Sequence, residues 1–95
     1  MPPNKLSILL VEDEENLHEA LKLNLELEGY EVSSSHKGTD ALEAFRQEHF
    51  DLLILDVMLP ELDGISVCET IRLQNPEIPI LILSAKNSSA DRILG

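Results

Sequence analysis

The sequence predicts an α/β fold: a doubly wound parallel sheet with helices on both faces. Three observations carry this. Short, nearly continuous apolar runs recur at Leu6–Val11, Leu52–Leu55 and Ile80–Leu83. Such runs are the habit of strands buried on both faces, as in parallel sheets. The stretches between them are rich in helix formers with apolar residues at helical spacing. The two kinds of segment alternate along the whole chain.

Leu6-Ser7-Ile8-Leu9-Leu10-Val11 is the first strand, interrupted sharply by Glu12 to Glu15. Asn16 to Glu28 is the first helix, with Leu17, Ala20, Leu21, Leu25 and Glu28 at helical spacing and Gly29 as its stop. Glu14 and Glu15 fall near the positive end of its dipole. Tyr30 to Ser33 is a short second strand. Thr39 to Gln47 is the second helix, with Ala41, Leu42 and Phe45 on its buried side. Leu52-Leu53-Ile54-Leu55 is the third strand and the most hydrophobic. Pro60 and Asp63-Gly64 punctuate the loop after it. Ile65 to Gln74 is the third helix, ended by Asn75-Pro76. Ile80-Leu81-Ile82-Leu83 is the fourth strand, and Ser88-Ser89-Ala90-Asp91 has the pattern of a further helix start.

The 95 residues suffice for one domain, spanning 1–95. Hydrophobic residues make up 43% and the charges are dispersed, which argues for a folded domain over an acidic disordered tail. The formal net charge of −11 repels phosphate backbones and anionic headgroups, so neither nucleic acid nor a membrane surface is an expected partner. The single cysteine, Cys68, cannot close an intramolecular disulfide. No segment has the length of a signal peptide's flanked core or of a membrane span. A soluble cytoplasmic protein is the expectation.

On this scaffold the polar residues gather at one edge. Glu12 and Asp13 follow strand one, Asp56 follows strand three, and Ser84 follows strand four. In open α/β sheets the ligand site lies beyond the carboxyl ends of the strands, where strand order reverses. Neighbouring strands are only about 4.8 Å apart, so these side chains can converge. Three carboxylates in one pocket repel one another, and either one is protonated or a cation sits among them. An all-oxygen set suits Mg²⁺, whereas zinc favours His and Cys. Mg²⁺ would draw in a phosphoryl group and offset charge developing during its transfer, with one carboxylate as nucleophile.

Three blocks, Leu9 to Glu14, Leu53 to Gly64 and Ile80 to Ala85, strongly resemble the receiver domain of two-component response regulators. The likeness runs from about Leu6 to the last residue, and Asp56 to Gly64 is its most specific part. It implies a flavodoxin-like, CheY-like sheet in the order 2-1-3-4. It also implies a signalling function and a sensor histidine kinase as partner. By position, Asp56 resembles the phosphoacceptor and Asp13 the direct Mg²⁺ ligand. Glu12 resembles the partner acting through water, and the Met58 carbonyl resembles a third protein ligand. Ser84 resembles the switch hydroxyl, and Pro60 and Asp63-Gly64 resemble the loop that shapes the pocket. Such a domain would assist its own phosphorylation and dephosphorylation without being an enzyme in the ordinary sense.

The chain departs from the family pattern in lacking the fifth strand and fifth helix, with the Lys that contacts the phosphoryl group. Lys86 does not match that Lys and reads as a solvated loop residue. Ile80–Leu83 would then be an uncharged edge that invites pairing, so self-association or completion by another chain is expected. His18, His36 and His49 show no metal-ligand spacing and read as surface or helix-end residues. Cys68 reads as a small buried residue. Leu23 and Leu27 widen the apolar surface of the first helix, as core or in part as interface. Two other functions stay open: a non-phosphorylated docking or oligomerisation module, and a different Mg²⁺-dependent enzyme on a similar sheet. The last would need a general base and substrate pocket. Neither a phosphate-cradling Gly-rich loop nor a dinucleotide fingerprint is present.

Overall fold

The computed structural model describes residues 5–57 and 63–83. Among these residues seven elements follow in strict alternation: β1 (Ser7–Val11), α1 (Glu15–Leu27), β2 (Glu31–Ser35), α2 (Gly38–Gln47), β3 (Leu52–Asp56), α3 (Gly64–Gln74) and β4 (Ile80–Leu83). All strand pairs are parallel, and the sheet order is β2-β1-β3-β4. Each helix lies within one residue of its expected bounds.

The period-2 geometry of a strand sends alternate side chains to opposite faces, and both faces of β1 and β3 are covered. Leu9, Val11, Leu53 and Leu55 form one core with Ala41 of α2 and Val67 and Ile71 of α3. Ile8, Leu10 and Ile54 form the other, packed by Leu21 and Leu25 of α1 and by Tyr30 and Val32. So α1 covers one face while α2 and α3 cover the other. Each fully buried Leu or Ile stabilises the fold by about 1.5–3 kcal/mol relative to exposure. That apolar demand on both faces of β1 and β3 is why their sequences run nearly without polar residues.

Capping residues set the helix ends. The Glu14 carboxylate accepts the Leu17 N–H at 2.7 Å, and the Asp63 carboxylate accepts the Ser66 N–H at 2.8 Å. At the end of α1, Gly29 takes φ +99°. Its N–H reaches the Glu26 carbonyl at 3.0 Å, and the Tyr30 N–H reaches the Leu25 carbonyl at 3.2 Å. This is a Schellman termination, with the usual apolar contact supplied by Tyr30 and Leu25 in the same core. After α3, the Asn75 side chain accepts the Glu77 and Ile78 N–H groups, and Arg72 donates to the Pro76 and Ile78 carbonyls.

At the amino ends of β1 and β3, the Asp51 carboxylate accepts the Ser7 N–H at 2.8 Å. That bond, aided by His49, holds the Asp51 carboxyl below the usual aspartate range. It fixes the stagger between two strands more than 40 residues apart in sequence. At the far edge, Val11 pairs with both Ser35 and Leu55, and Asp56 pairs with Leu83. The strands therefore end together. From β1 the chain moves to β2 on one side and returns to β3 on the other, which puts the reversal of strand order between β1 and β3.

Candidate metal and phosphoryl site

Glu12 and Asp13 leave the end of β1, and Asp56 is the last residue of β3, the adjacent strand. One ligand oxygen from each of the three lies within 4.8 Å of the others. Glu12 and Asp56 are fully buried and Asp13 is exposed. The site is thus deep on two sides and open at the third, beyond the carboxyl ends of the strands at the reversal point.

The donor set fits a hard divalent ion. Around Mg²⁺, with bonds of about 2.0–2.1 Å, oxygens lie roughly 3 Å apart when adjacent and about 4.2 Å when opposite. A trio reaching up to 4.8 Å needs only a small closure, or a water in one position. Among the described residues it is the only such grouping of metal-ligand side chains.

The backbone around Glu12 is tied on three sides. Its N–H donates to the Ser35 carbonyl of β2 at 3.1 Å. Its carbonyl accepts from His18 Nδ1 at 2.8 Å. Its Oε2 accepts the Glu14 N–H at 2.8 Å. Glu12 therefore anchors the turn into α1 as well as facing the site.

Asp56 is held from the other side by α3. The Gly64 N–H donates to the Val57 carbonyl at 3.0 Å. A Cβ at Gly64 would lie 2.5 Å from the Asp56 carbonyl oxygen and 2.6 Å from the Val57 Cα. Only glycine lets the first turn of α3 sit this close to the strand that carries Asp56.

Of the expected site residues, the structure brings Glu12, Asp13 and Asp56 together. Met58, Pro60, Ser84 and Lys86 lie outside the described residues. Two features were not anticipated. His18, expected at the surface, is buried at 1% exposure and stacks on His36 with ring centroids 4.2 Å apart. The signal was present: His18 precedes Leu21 by three residues and Leu25 by seven, on the stripe that faces the sheet. Ala20, which helical spacing puts on that stripe, is exposed instead. The close seat of Gly64 is the second feature, and Asp63-Gly64 was legible only as a turn. Cys68 is half-buried rather than buried.

Residues 8–94 match the model of the response regulator receiver domain. The chain is 48% identical over 88 residues to the alkaline phosphatase synthesis transcriptional regulatory protein PhoP of Bacillus subtilis, covering 93% of this chain and 37% of PhoP. It thus spans about two fifths of the curated relatives it matches. Among solved structures, the non-phosphorylated HemR receiver domain of Leptospira biflexa superposes with a TM-score of 0.82 at 37% identity, covering 96% of this chain and 73% of that one. The Thermotoga maritima response regulator TrrA, in complex with Mg²⁺-BeF, gives 0.81 at 36% identity, covering 90% and 76%. TrrA has also been solved in complex with the histidine kinase ThkA. Among the described residues no helix is long and apolar enough to cross a membrane.

Proposed function

Because the chain belongs to the response regulator receiver domain family, we propose that Asp56 accepts a phosphoryl group from a sensor histidine kinase, assisted by Mg²⁺, in two-component signal transduction. The observation that carries this reading is the convergence of Glu12, Asp13 and Asp56 at the reversal point of the sheet.

A carboxylate oxygen of Asp56 attacks the phosphorus of a phosphohistidine. The P–N bond breaks as the new P–O bond forms, and the imidazole nitrogen leaves with the electron pair. The product is an acyl phosphate, which water cleaves to restore the carboxylate and release phosphate. Mg²⁺ would neutralise the carboxylates and the charge on the transferring phosphoryl group. Asp13 and Asp56 would hold it directly, the Met58 carbonyl would add a ligand, and Glu12 would act through water. Ser84 would turn its hydroxyl toward the phosphoryl oxygens once the group is in place. Burial of Asp56 at the strand end restrains its rotamers, which would limit the directions from which its carboxylate attacks.

TrrA's complexes support both halves of this reading: one with Mg²⁺ and BeF, an anion shaped like a phosphoryl group, and one with a histidine kinase. Treatment with a small-molecule phosphodonor is expected to add one phosphoryl mass in the presence of Mg²⁺ only, and none to Asp56→Asn. A folded protein that binds Mg²⁺ yet gains no mass would refute the phosphoacceptor role.

Exposed apolar residues favour a second reading, a docking or oligomerisation module. Leu23 and Leu27 are exposed on α1, and Leu81 and Ile82 on β4. Light scattering separates the two: a phosphorylation-independent dimer without Mg²⁺ affinity supports the module alone.

A further inference from the structure

We infer that His18 is a positioning residue for the acidic pair: its Nδ1–H holds the Glu12 carbonyl and so sets the direction in which Asp13 enters the metal site. This rests on the Mg²⁺ reading of the trio. The carbonyl of Glu12 and the N–H of Asp13 belong to one planar peptide. Pinning that carbonyl fixes the plane from which the Asp13 backbone departs. The bond is 2.8 Å long and buried. A carbonyl only accepts, so His18 must carry its proton on Nδ1.

The ring is itself held. His18 is buried to 1% exposure, and His36 lies against it at 4.2 Å with the planes 19° apart. His36 follows Ser35, whose carbonyl accepts the Glu12 N–H at 3.1 Å. The end of β2 therefore braces Glu12 twice, once directly and once through the stacked rings. Among the described residues His18 Nε2 has no hydrogen-bond partner, so the one hydrogen bond of the ring is the bond to Glu12. A buried imidazole that spends its donor on the peptide between two carboxylate residues is costly to keep for packing alone, because leucine would fill the space without a polar atom.

The test combines three variants with a spectroscopic signature. Long-range proton–nitrogen NMR on the wild type at neutral pH is expected to show His18 as the Nδ1-protonated tautomer; the Nε2-protonated tautomer would overturn the inference without any variant. Mg²⁺ affinity is then measured by titration, with the metal-free thermal midpoint recorded for each protein. His18→Leu removes the donor and is expected to weaken Mg²⁺ binding about tenfold, the lower end for loss of an outer hydrogen bond to a metal site. His18→Asn places an amide nitrogen close to the Nδ1 position and is expected to restore affinity to within about twofold of wild type. His18→Gln carries its amide further out and is expected to bind like His18→Leu; it replaces the leucine variant if that one does not fold. Equal affinity in the wild type and the donor-lacking variants overturns the inference alone. Loss in the asparagine variant as well assigns the effect to ring packing and overturns the donor role. A wild type that binds no Mg²⁺ overturns the metal reading beneath it, and this inference with it.

Discussion

Replacing Gly64 with alanine tests how tightly α3 is seated on the strand that carries Asp56. The added methyl would stand 2.5 Å from the Asp56 carbonyl oxygen, 2.6 Å from the Val57 Cα and 3.0 Å from the Leu55 Cδ1. Ordinary contact begins near 3.4 Å, so a separation of roughly 1 Å must open between α3 and β3. The nearest atom is backbone of Asp56, the last residue of β3, and the next is backbone of Val57 just beyond it, and neither can step aside as a flexible side chain would. Overpacking of this kind costs about 1–3 kcal/mol. The displaced helix also strains the Gly64 N–H bond to Val57, worth about 1 kcal/mol. Alanine's better helix propensity returns up to about 1 kcal/mol. The net loss is about 2 kcal/mol, and a domain of this size then melts roughly 8–16 °C lower. Thermal and urea unfolding measure it. The same variant is expected to weaken Mg²⁺ binding, because relief of the clash moves Asp56. A midpoint within about 0.5 kcal/mol of wild type, the scatter of ordinary surface substitutions, would refute the close-seat argument.

Gly29→Ala is the matched control: its φ of +99° disfavours a side chain, but nothing lies within 4 Å of the added Cβ. It is expected to destabilise by about 1 kcal/mol in urea unfolding while leaving Mg²⁺ affinity at the wild-type value. Asp51→Asn tests the strand clamp. Folding lowers the Asp51 pKa, chiefly through the Ser7 N–H, so its stabilisation is complete above the unfolded value of about 3.9 and is lost as pH falls through the folded value. Wild type should therefore melt above Asp51→Asn near neutral pH, with the gap closing in acid; a gap independent of pH would refute the assignment. Asp56→Asn should abolish phosphorylation while the protein still folds, read by intact mass and circular dichroism.

Much of the fold was legible because its signals are local. α1 was bounded by Glu12 to Glu15 before it and by Gly29 after it, and α3 by Asn75-Pro76 at its end, and each of these acts within a turn of its own position. β2 was the least legible element. Tyr30–Ser33 was expected and Glu31–Ser35 is observed. Its last three residues are all serine, so hydrophobicity does not mark its end; pairing of Ser35 with Val11 does. His18 was misread for the opposite reason. Its polarity suggested the surface, but its position on the sheet-facing stripe of α1 and the bond to Glu12 outweigh that polarity. The acidic trio was legible as residue types following strand ends, and the Gly64 seat was not.

By itself the sequence determined the alternation of strands and helices and the chemical character of the strand ends: an acidic pair after β1 and an aspartate closing β3. Those depend only on neighbours along the chain. The tertiary structure alone decided that oxygens of Glu12, Asp13 and Asp56 come within 4.8 Å, that His18 lies between His36 and the Glu12 peptide, and that α3 touches the Asp56 backbone. Each of the three depends on stagger and helix placement between segments distant in sequence, which packing on the two faces of the sheet sets and no local pattern encodes.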